Sequence, residues 1–336
     1  MNIAIVGATG NVGRKIIEVL EKKNFPISEL YLIASSKSSG KKISFRGKEL
    51  IVIDLEKFDF SKVKIAFFAA GSSIAEKWAY KAAEKTIVID NSKFFRKDPD
   101  IPLVVPEVNS KELVHVKNKN IIANANCSVI PLVVALKPLH DLYIVKRIVV
   151  STYQSVSGAG KAPMDELLIQ TKEYFDKKNL QSKHFTKQIA FNVIPHIDSF
   201  LENGNTKEEQ KTIDEVKKIL DKKIKITSTC VRIPVLVSHC ISANVEFDKK
   251  YNLEEIKNVL STSPGCKVVD EHKDGGYITP VEAENKYETF ISRIRKDDSQ
   301  SNSINLWVVS DNLLKGAALN AVEIAESLIK KNLHER

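Results

Sequence analysis

Asn2-Ile3-Ala4-Ile5-Val6-Gly7-Ala8-Thr9-Gly10-Asn11-Val12-Gly13 is the stretch on which the reading of the first half of the chain turns. Residues 2–7 form a continuous apolar strand, Gly7 to Gly13 a tight glycine loop, and Asn11 to Glu21 a helix with Val12, Ile16, Ile17 and Leu20 on one face. A strand that runs through glycines into a helix is the setting in which such a pattern points to a dinucleotide. Gly7 permits the turn, Gly10 lets a pyrophosphate approach the backbone, and Gly13 allows the helix to pack closely. The helix N-terminus then offers unpaired N–H groups and a positive partial charge to phosphates. A purely structural turn is the alternative.

Outward from this unit, strand-like runs recur at 30–34, 65–70 and 86–90, with a helical stretch over 74–84. That is the signature of a doubly wound α/β domain with a parallel sheet. Past Cys127 the pattern changes. A helix over 129–140 leads into a β-rich run at 143–155, and further strands are expected at 226–237, 240–247, 289–295 and 304–309. Few crossover helices separate them, which suits an antiparallel or mixed sheet with helices on one face. A last helix over 313–333 is expected to return to the first domain. The expected division is therefore 1–126, 127–312 and 313–336.

A chain of 336 residues with 43% hydrophobic content can bury two cores. It has no apolar run of the roughly eighteen residues that span a bilayer. The first strand follows Met1 directly, leaving no room for a signal peptide, and the cytoplasm is the expected compartment. Four cysteines, at 127, 230, 240 and 266, make no zinc-like spacing, so free thiols and no metal are expected. The net charge of +9 comes from lysines interleaved with Glu and Asp. It reads as a solvated surface that favours small anionic ligands, with no nucleic-acid or membrane partner.

An acidic residue at the end of the second strand would hold the ribose hydroxyls of NAD. None stands there. Ser35-Ser36-Lys37-Ser38-Ser39-Gly40 follows instead, a hydroxyl-rich loop with a cation that suits the 2′-phosphate of NADP, although a solvated linker has the same composition. Cys127 lies between an apolar run and a helix with Pro131 in its first turn. A helix N-terminus favours the thiolate, which is the nucleophilic form. Cysteine is also a common core residue, and Cys230, Cys240 and Cys266 are read that way.

Several further runs carry a resemblance. The glycine loop, Arg96-Lys97-Asp98-Pro99 through Asn109, Asn124-Ala125-Asn126-Cys127-Ser128 and Gln154-Ser155-Val156-Ser157-Gly158-Ala159-Gly160 come first. Phe191-Asn192-Val193-Ile194-Pro195, Glu208-Glu209-Gln210-Lys211, Arg232-Ile233-Pro234-Val235, His239 and Gly316-Ala317-Ala318-Leu319-Asn320 follow. In this order they resemble the aspartate-semialdehyde dehydrogenase family over essentially the whole chain. The resemblance implies a Rossmann-type domain and a second α+β catalytic and dimerisation domain forming a homodimer. It implies reversible NADPH-dependent reduction of L-4-aspartyl phosphate to L-aspartate 4-semialdehyde, supplying lysine, threonine and methionine synthesis.

The same resemblance implies Cys127 as nucleophile, His239 as acid–base residue and Gln154 as the group orienting the thioester carbonyl. Arg232 is implied for the substrate carboxylate and Glu208 for its ammonium group. Arg96 and Lys211, with Asn126, are implied for phosphate. The cofactor contacts implied are Gly7, Thr9, Gly10, Asn11, Val12, Gly13, Ser35, Lys37, Ser38, Ser157, Gly158 and Asn320. Physical chemistry asks for these types: a carboxylate, an ammonium and a phosphate need a forked cation, an acid and a cationic clamp. Singly, Arg96 and Lys211 also read as surface charges, Glu208 as a first-turn helix acid and His239 as a strand histidine. A related reductase of N-acetylglutamyl phosphate shares the glycine loop and cysteine but has no free ammonium to bind.

Five positions depart from the family pattern. Ala125 replaces a proline, which should loosen the nucleophile loop, and Lys93 replaces a small residue. Cys240-Ile241 follow His239 in place of serine and glutamate, and Lys37 stands where arginine is common.

Overall fold

All four positions of β1 (Ile3–Val6) are buried, as a strand covered on both faces must be. The structure is a computed structural model describing residues 1–334, and the chain divides into two units. One holds Met1–Ala125 together with the chain from Ala317 onward, the other Asn126–Gly316.

The first unit is built on β1, β2 (Leu30–Ala34), β5 (Ile53–Asp54), β6 (Ile65–Phe68), β7 (Ile87–Asp90), β8 (Leu103–Val104) and β9 (Ile121–Asn124). Their order is β5-β2-β1-β6-β7-β9-β8, every neighbouring pair parallel. A small hairpin, β3 (Lys42–Phe45) with β4 (Lys48–Ile51), stands apart. The chain leaves β1 for β2 on one side and returns to β6 on the other, so the sheet's switch point lies at the C-terminal ends of β1 and β6, where open α/β sheets bind ligands.

The glycine loop occupies that point. Gly7 has φ +90°, and its N–H donates to Ile33 O at 2.8 Å. A Cβ on Gly7 would lie 2.6 Å from Ala69 O, and one on Gly13 only 2.2 Å from Gly7 O. Helix Asn11–Lys22 starts there with no acidic residue in its first turn, so its positive end is left for an anion.

The second unit holds β10 (Val145–Gln154), β11 (Lys225–Arg232), β12 (His239–Phe247), β13 (Cys266–Val268), β14 (Thr289–Lys296) and β15 (Ser303–Ser310). They form a mixed sheet ordered β11-β10-β12-β15-β14-β13. β10 with β11 and β13 with β14 are parallel, the rest antiparallel. Helix Val129–Tyr143, apolar on nearly every side, packs on this sheet and against helices Lys207–Ile219 and Leu253–Thr262.

Two elements differ from the sequence expectation. The strand expected over 226–237 stops at Arg232: Ile233 N still donates to Gln154 O at 3.0 Å, but Pro234 has no N–H to carry the ladder further. The last helix is broken into a π-helical stretch, Leu314–Leu319, and the α-helix Asn320–Lys330. Asp311 caps the start, its Oδ1 accepting from Leu313 N and Leu314 N at 2.9 and 3.0 Å. A Cβ on Gly316 would stand 2.9 Å from Cys127 O, and π-turns of this kind recur at functional sites. Among the described residues no helix is long and apolar enough to cross a membrane.

Gly13→Ala should lower the thermal midpoint. The collision with Gly7 O is backbone against Cβ, and overpacking costs roughly 1–3 kcal/mol, more than the ~1 kcal/mol that alanine ordinarily gains over glycine in a helix. Gly10→Ala, whose Cβ would sit 3.4 Å from Gly7 O, should melt close to wild type. Calorimetry on the two variants checks the contrast.

Candidate active site

Three of the candidate residues fall on one cross-strand row. Arg232, the last residue of β11, pairs with Gln154, the last of β10. Gln154 pairs in turn with His239, the first residue of β12, and His239 with Ser310, the last of β15. The loop after β10 folds back over this row, Val156 N donating to Val235 O at 2.9 Å and Ser157 N to Leu236 O at 3.1 Å. Gly158 is thereby laid on the catalytic groups: a Cβ there would stand 3.1 Å from the His239 ring and 3.2 Å from Arg232 Nη1.

Cys127 comes to the row from the N-terminal end of helix Val129–Tyr143. Asn126 builds its turn, Oδ1 accepting from Ser128 N at 2.9 Å and Ser128 Oγ at 2.7 Å. Asn126 O accepts from Val129 N and Ile130 N. The Cys127 Sγ then lies 3.3 Å from His239 Nε2. Helix Lys207–Ile219 clamps the turn from the other side: Asn126 N donates to Glu215 Oε2 at 2.6 Å and Asn126 Nδ2 to Glu208 Oε1 at 2.9 Å. These bonds supply the rigidity that Ala125 lacks.

The helix is fixed by a capping box between Thr206 and Glu209, with Cys230 N also donating to Glu209 Oε1 at 3.0 Å. This directs Glu208 inward. Burial pushes the Glu208 carboxyl up, but the Lys211 ammonium and hydrogen bonds from Lys211, Asn126 and Gln154 outweigh it, so its pKa ends below the ordinary range. Lys211 bonds Glu208 Oε2 and Asp198 Oδ2, both at 2.8 Å. Burial works against its charge, yet Glu208 and Asp198 raise its pKa overall. Gln154 Nε2 donates to Glu208 Oε1 at 3.3 Å and its Oε1 accepts from Thr152 Oγ1 at 3.0 Å. Arg232 Nη1 donates to Ser155 O at 2.6 Å.

His239 is 1% exposed. Burial, and next the positive charge of Arg232, push its pKa down to about 3, so the ring beside the sulfur is neutral at physiological pH. Cys240 points to the opposite face of the sheet with Phe290 and Val309. The departures at 240 and 241 therefore fall on buried packing positions. Burial pushes the Cys240 thiol up to about 12 and Cys230 up to about 11, which keeps both protonated. All four cysteines are free.

The second unit thus gathers Cys127, His239, Gln154, Arg232, Glu208, Lys211, Asn126, Ser157 and Gly158. The first unit carries the glycine loop and Ser35, Lys37 and Ser38, the latter two on a 3₁₀ turn, Ser36–Ser38, that follows β2 and begins after Ser35. Lys37 is exposed. Arg96 is buried, Nε donating to Asn124 O at 2.9 Å and Nη2 to Asn91 O at 3.0 Å. Asn320 Nδ2 donates to Val104 O and Asn124 Oδ1, leaving its buried Oδ1 with no partner among the described residues. Sequence reasoning missed Glu215, Ser155 and Asn312. Only Glu215 had a signal, two helical turns on from Glu208 and so on the same face.

Residues 2–116 match the family model of the semialdehyde dehydrogenase NAD binding domain, and residues 136–315 that of the semialdehyde dehydrogenase dimerisation domain. The aspartate-semialdehyde dehydrogenase of Aquifex aeolicus is 50% identical to this chain, covering 98% of each. The chain belongs to the aspartate-semialdehyde dehydrogenase family. The Rickettsia bellii member is 48% identical over 99% of this chain and 98% of its own. A structure of aspartate semialdehyde dehydrogenase II from Vibrio cholerae complexed with ASA superposes with a TM-score of 0.96 at 47% identity, covering 98% of both chains. This is accordingly an oxidoreductase of amino-acid biosynthesis with a nicotinamide dinucleotide-binding domain.

The depressed His239 pKa has a sign that can be checked. An unfolded chain takes up a proton on this histidine below about pH 6.5, whereas the native ring refuses it until about pH 3. Stability from this group is thus full above 6.5 and is lost as pH falls through that window. The thermal midpoint of wild type should drop more steeply between those pH values than that of His239→Asn. Parallel melting curves would mean the native ring is not held neutral.

Proposed function

We propose that the chain catalyses the reversible, NADPH-dependent reductive dephosphorylation of L-4-aspartyl phosphate to L-aspartate 4-semialdehyde through a thioester on Cys127. The observation that carries this reading is a thiol 3.3 Å from a neutral histidine, beside the buried Glu208 paired with a half-buried Lys211 and the Arg232 fork. In the forward direction the Cys127 sulfur attacks the acyl carbon and the bond to phosphate breaks, phosphate leaving with its electron pair. Addition of hydride to the thioester gives a tetrahedral oxyanion. It collapses to the aldehyde as the C–S bond returns its electrons to sulfur. Gln154 orients the acyl oxygen, and His239 is the acid–base residue, taking the thiol proton as the sulfur attacks and returning it when the sulfur is released.

Recognition follows from charge. Arg232 takes the α-carboxylate with its planar fork. Glu208, ionised and buried, takes the α-ammonium, which argues against an N-acetylated substrate. Lys211 binds phosphate in competition with Asp198, with Arg96 and Asn126 as further donors. The substrate's ammonium and phosphate together replace the charges that Glu208 and Lys211 now satisfy in each other.

The residues of the first unit fit NADP. The glycine cradle that a Cβ would fill and the uncompensated helix end suit the pyrophosphate. Ser35, Lys37 and Ser38 suit a 2′-phosphate, and Ser157, Gly158 and the unsatisfied Asn320 Oδ1 are the candidates for the nicotinamide end. When bound, the cofactor supplies the hydride. A homodimer in the cytoplasm completes the reading. It is supported by the dimerisation-domain match and by Tyr174, Phe175 and Phe191, which stack on one another while 51%, 71% and 57% exposed and offer an apolar surface for a second copy.

Cys127→Ala should abolish phosphate-dependent reduction of NADP⁺ by aspartate semialdehyde while melting like wild type, and Cys240→Ala should keep substantial activity. Turnover by the Cys127 variant near the wild-type rate, or a preference for N-acetylglutamate semialdehyde, would reject the proposal. Lys37→Ala should weaken NADP binding by roughly 1–3 kcal/mol, the value of a charge-assisted contact, and leave NAD binding unchanged. Equal titration of both cofactors to wild type would reject the NADP assignment.

A further inference from the structure

Three carboxamides lie in a row along the parallel sheet of the first unit, and three main-chain carbonyls fix how each is turned. A carbonyl oxygen only accepts, so the end of a carboxamide that bonds to it is the NH₂ end. Asn91 Nδ2 donates to Phe68 O at 3.1 Å, Asn124 Nδ2 to Ala317 O at 2.9 Å and Asn320 Nδ2 to Val104 O at 3.1 Å. Each flip is thus set independently of the other two. The contacts among the three then all join a donor to an acceptor. Asn124 Nδ2 reaches Asn91 Oδ1 at 2.7 Å, and Asn320 Nδ2 reaches Asn124 Oδ1 at 2.5 Å. Both N–H bonds of Asn124 and both of Asn320 are spent. The row therefore has a direction, and it ends on Asn320 Oδ1, a buried acceptor with no partner among the described residues.

Asn124 is 1% and Asn320 0% exposed, and a buried acceptor left unmet in a native fold calls for an explanation. Turning the Asn320 carboxamide over would set its oxygen against both Val104 O and Asn124 Oδ1, so a flip gives no relief. The missing partner is an N–H donor from outside the chain. Its chemistry follows from position. Phe68, Val104 and Asn124 are the last residues of β6, β8 and β9, and Asn91 follows β7 directly, so the row runs along the C-terminal edge where open α/β sheets bind ligands. β6, β7, β9 and β8 lie on one side of β1, and β2, which leads into Ser35 and Lys37, lies on the other. A dinucleotide laid across the glycine loop with its 2′-phosphate on the β2 side has its nicotinamide on the side of the row. The carboxamide of that ring carries two N–H groups.

We propose that Asn124 is a positioning residue for the nicotinamide end of the cofactor site: by accepting from Asn320 Nδ2 it holds Asn320 Oδ1 as the acceptor for the ring's carboxamide N–H. Asn91 Oδ1 and Ala317 O hold Asn124 in turn, and the latter carbonyl lies in the π-helical stretch Leu314–Leu319. The role of Asn124 rests on the reading of Asn320 as a contact to the nicotinamide; the direction of the row does not.

The test is equilibrium binding, without turnover, of NADP⁺ and of its 3-acetylpyridine analogue, in which a methyl group replaces the carboxamide NH₂. Wild type should hold NADP⁺ the more tightly by roughly five- to a hundredfold, the effect of leaving one buried acceptor unmet. Asn320→Ala deletes the acceptor and should bring the two ligands to within about twofold of each other. Asn124→Ala should weaken NADP⁺ but not the analogue, so that its ratio falls between these limits. Adenosine 2′,5′-bisphosphate, which has no nicotinamide, should bind all three proteins alike, whereas a merely structural loss would weaken every ligand together. Should Asn124→Ala fail to fold, Asn91→Ala removes one of the two acceptors that orient Asn124 and should lower the ratio in the same sense. Equal binding of NADP⁺ and the analogue to wild type, as a water on Asn320 Oδ1 would give, overturns the proposal. An unchanged ratio in Asn320→Ala rejects the nicotinamide contact itself. A collapsed ratio there with the wild-type ratio in folded Asn124→Ala leaves that contact standing and rejects only the role of Asn124. The comparison runs equally with NAD⁺ and its acetyl analogue, so a failure of the NADP preference is read separately.

Discussion

The register of four strand ends is the constraint on which the candidate site of this protein depends. Arg232, Gln154, His239 and Ser310 end or begin β11, β10, β12 and β15 on a single row, so a slip of one residue in any pairing would turn one group to the opposite face. The row is held by long ladders on both sides of β10. It explains why a forked cation, a carboxamide and an imidazole can be presented together with little freedom of their own.

Electrostatics then divides the site into two regimes. Glu208 and Lys211 are both held in their charged forms, each by the other, and the cost of burying them is met by Asp198, Asn126 and Gln154. His239, a few residues from the same groups, is kept uncharged because burial and the Arg232 cation act in one direction. Neighbouring titratable groups thus receive opposite treatment from one fold, which is what the proposed recognition of a charged substrate beside an acid–base group would require.

Much of this was legible in the sequence. Hydrophobic runs placed β1, β2, β12 and β15 within a residue or two, and the glycine loop was readable because strand, turn and helix are contiguous. The family motifs named Cys127, Gln154, Arg232, Glu208, Lys211 and His239, which the fold brings together in one unit. What could not be read depended on partners far along the chain. Asp311 and the contact of Gly316 with Cys127 break the last helix into a π-turn, although its periodicity runs unbroken. Asn312 and Ser155 carry no spacing signal, since serine and asparagine in loops are ordinary.

The sequence by itself determined the local chemistry: a dinucleotide-type turn, a cysteine at a helix start, a helix with acid and lysine on one face, and the family to which the chain belongs. Periodicity and short-range geometry are properties of neighbouring residues, so they survive in the one-dimensional order. The tertiary structure alone decided which nitrogen of His239 faces the sulfur, that Glu208 stays ionised, and that Cys230 and Cys240 stay inert. Protonation is set by burial and by charges fixed in space, Arg232 beside His239 and Lys211 beside Glu208, and those exist only once the strands have paired.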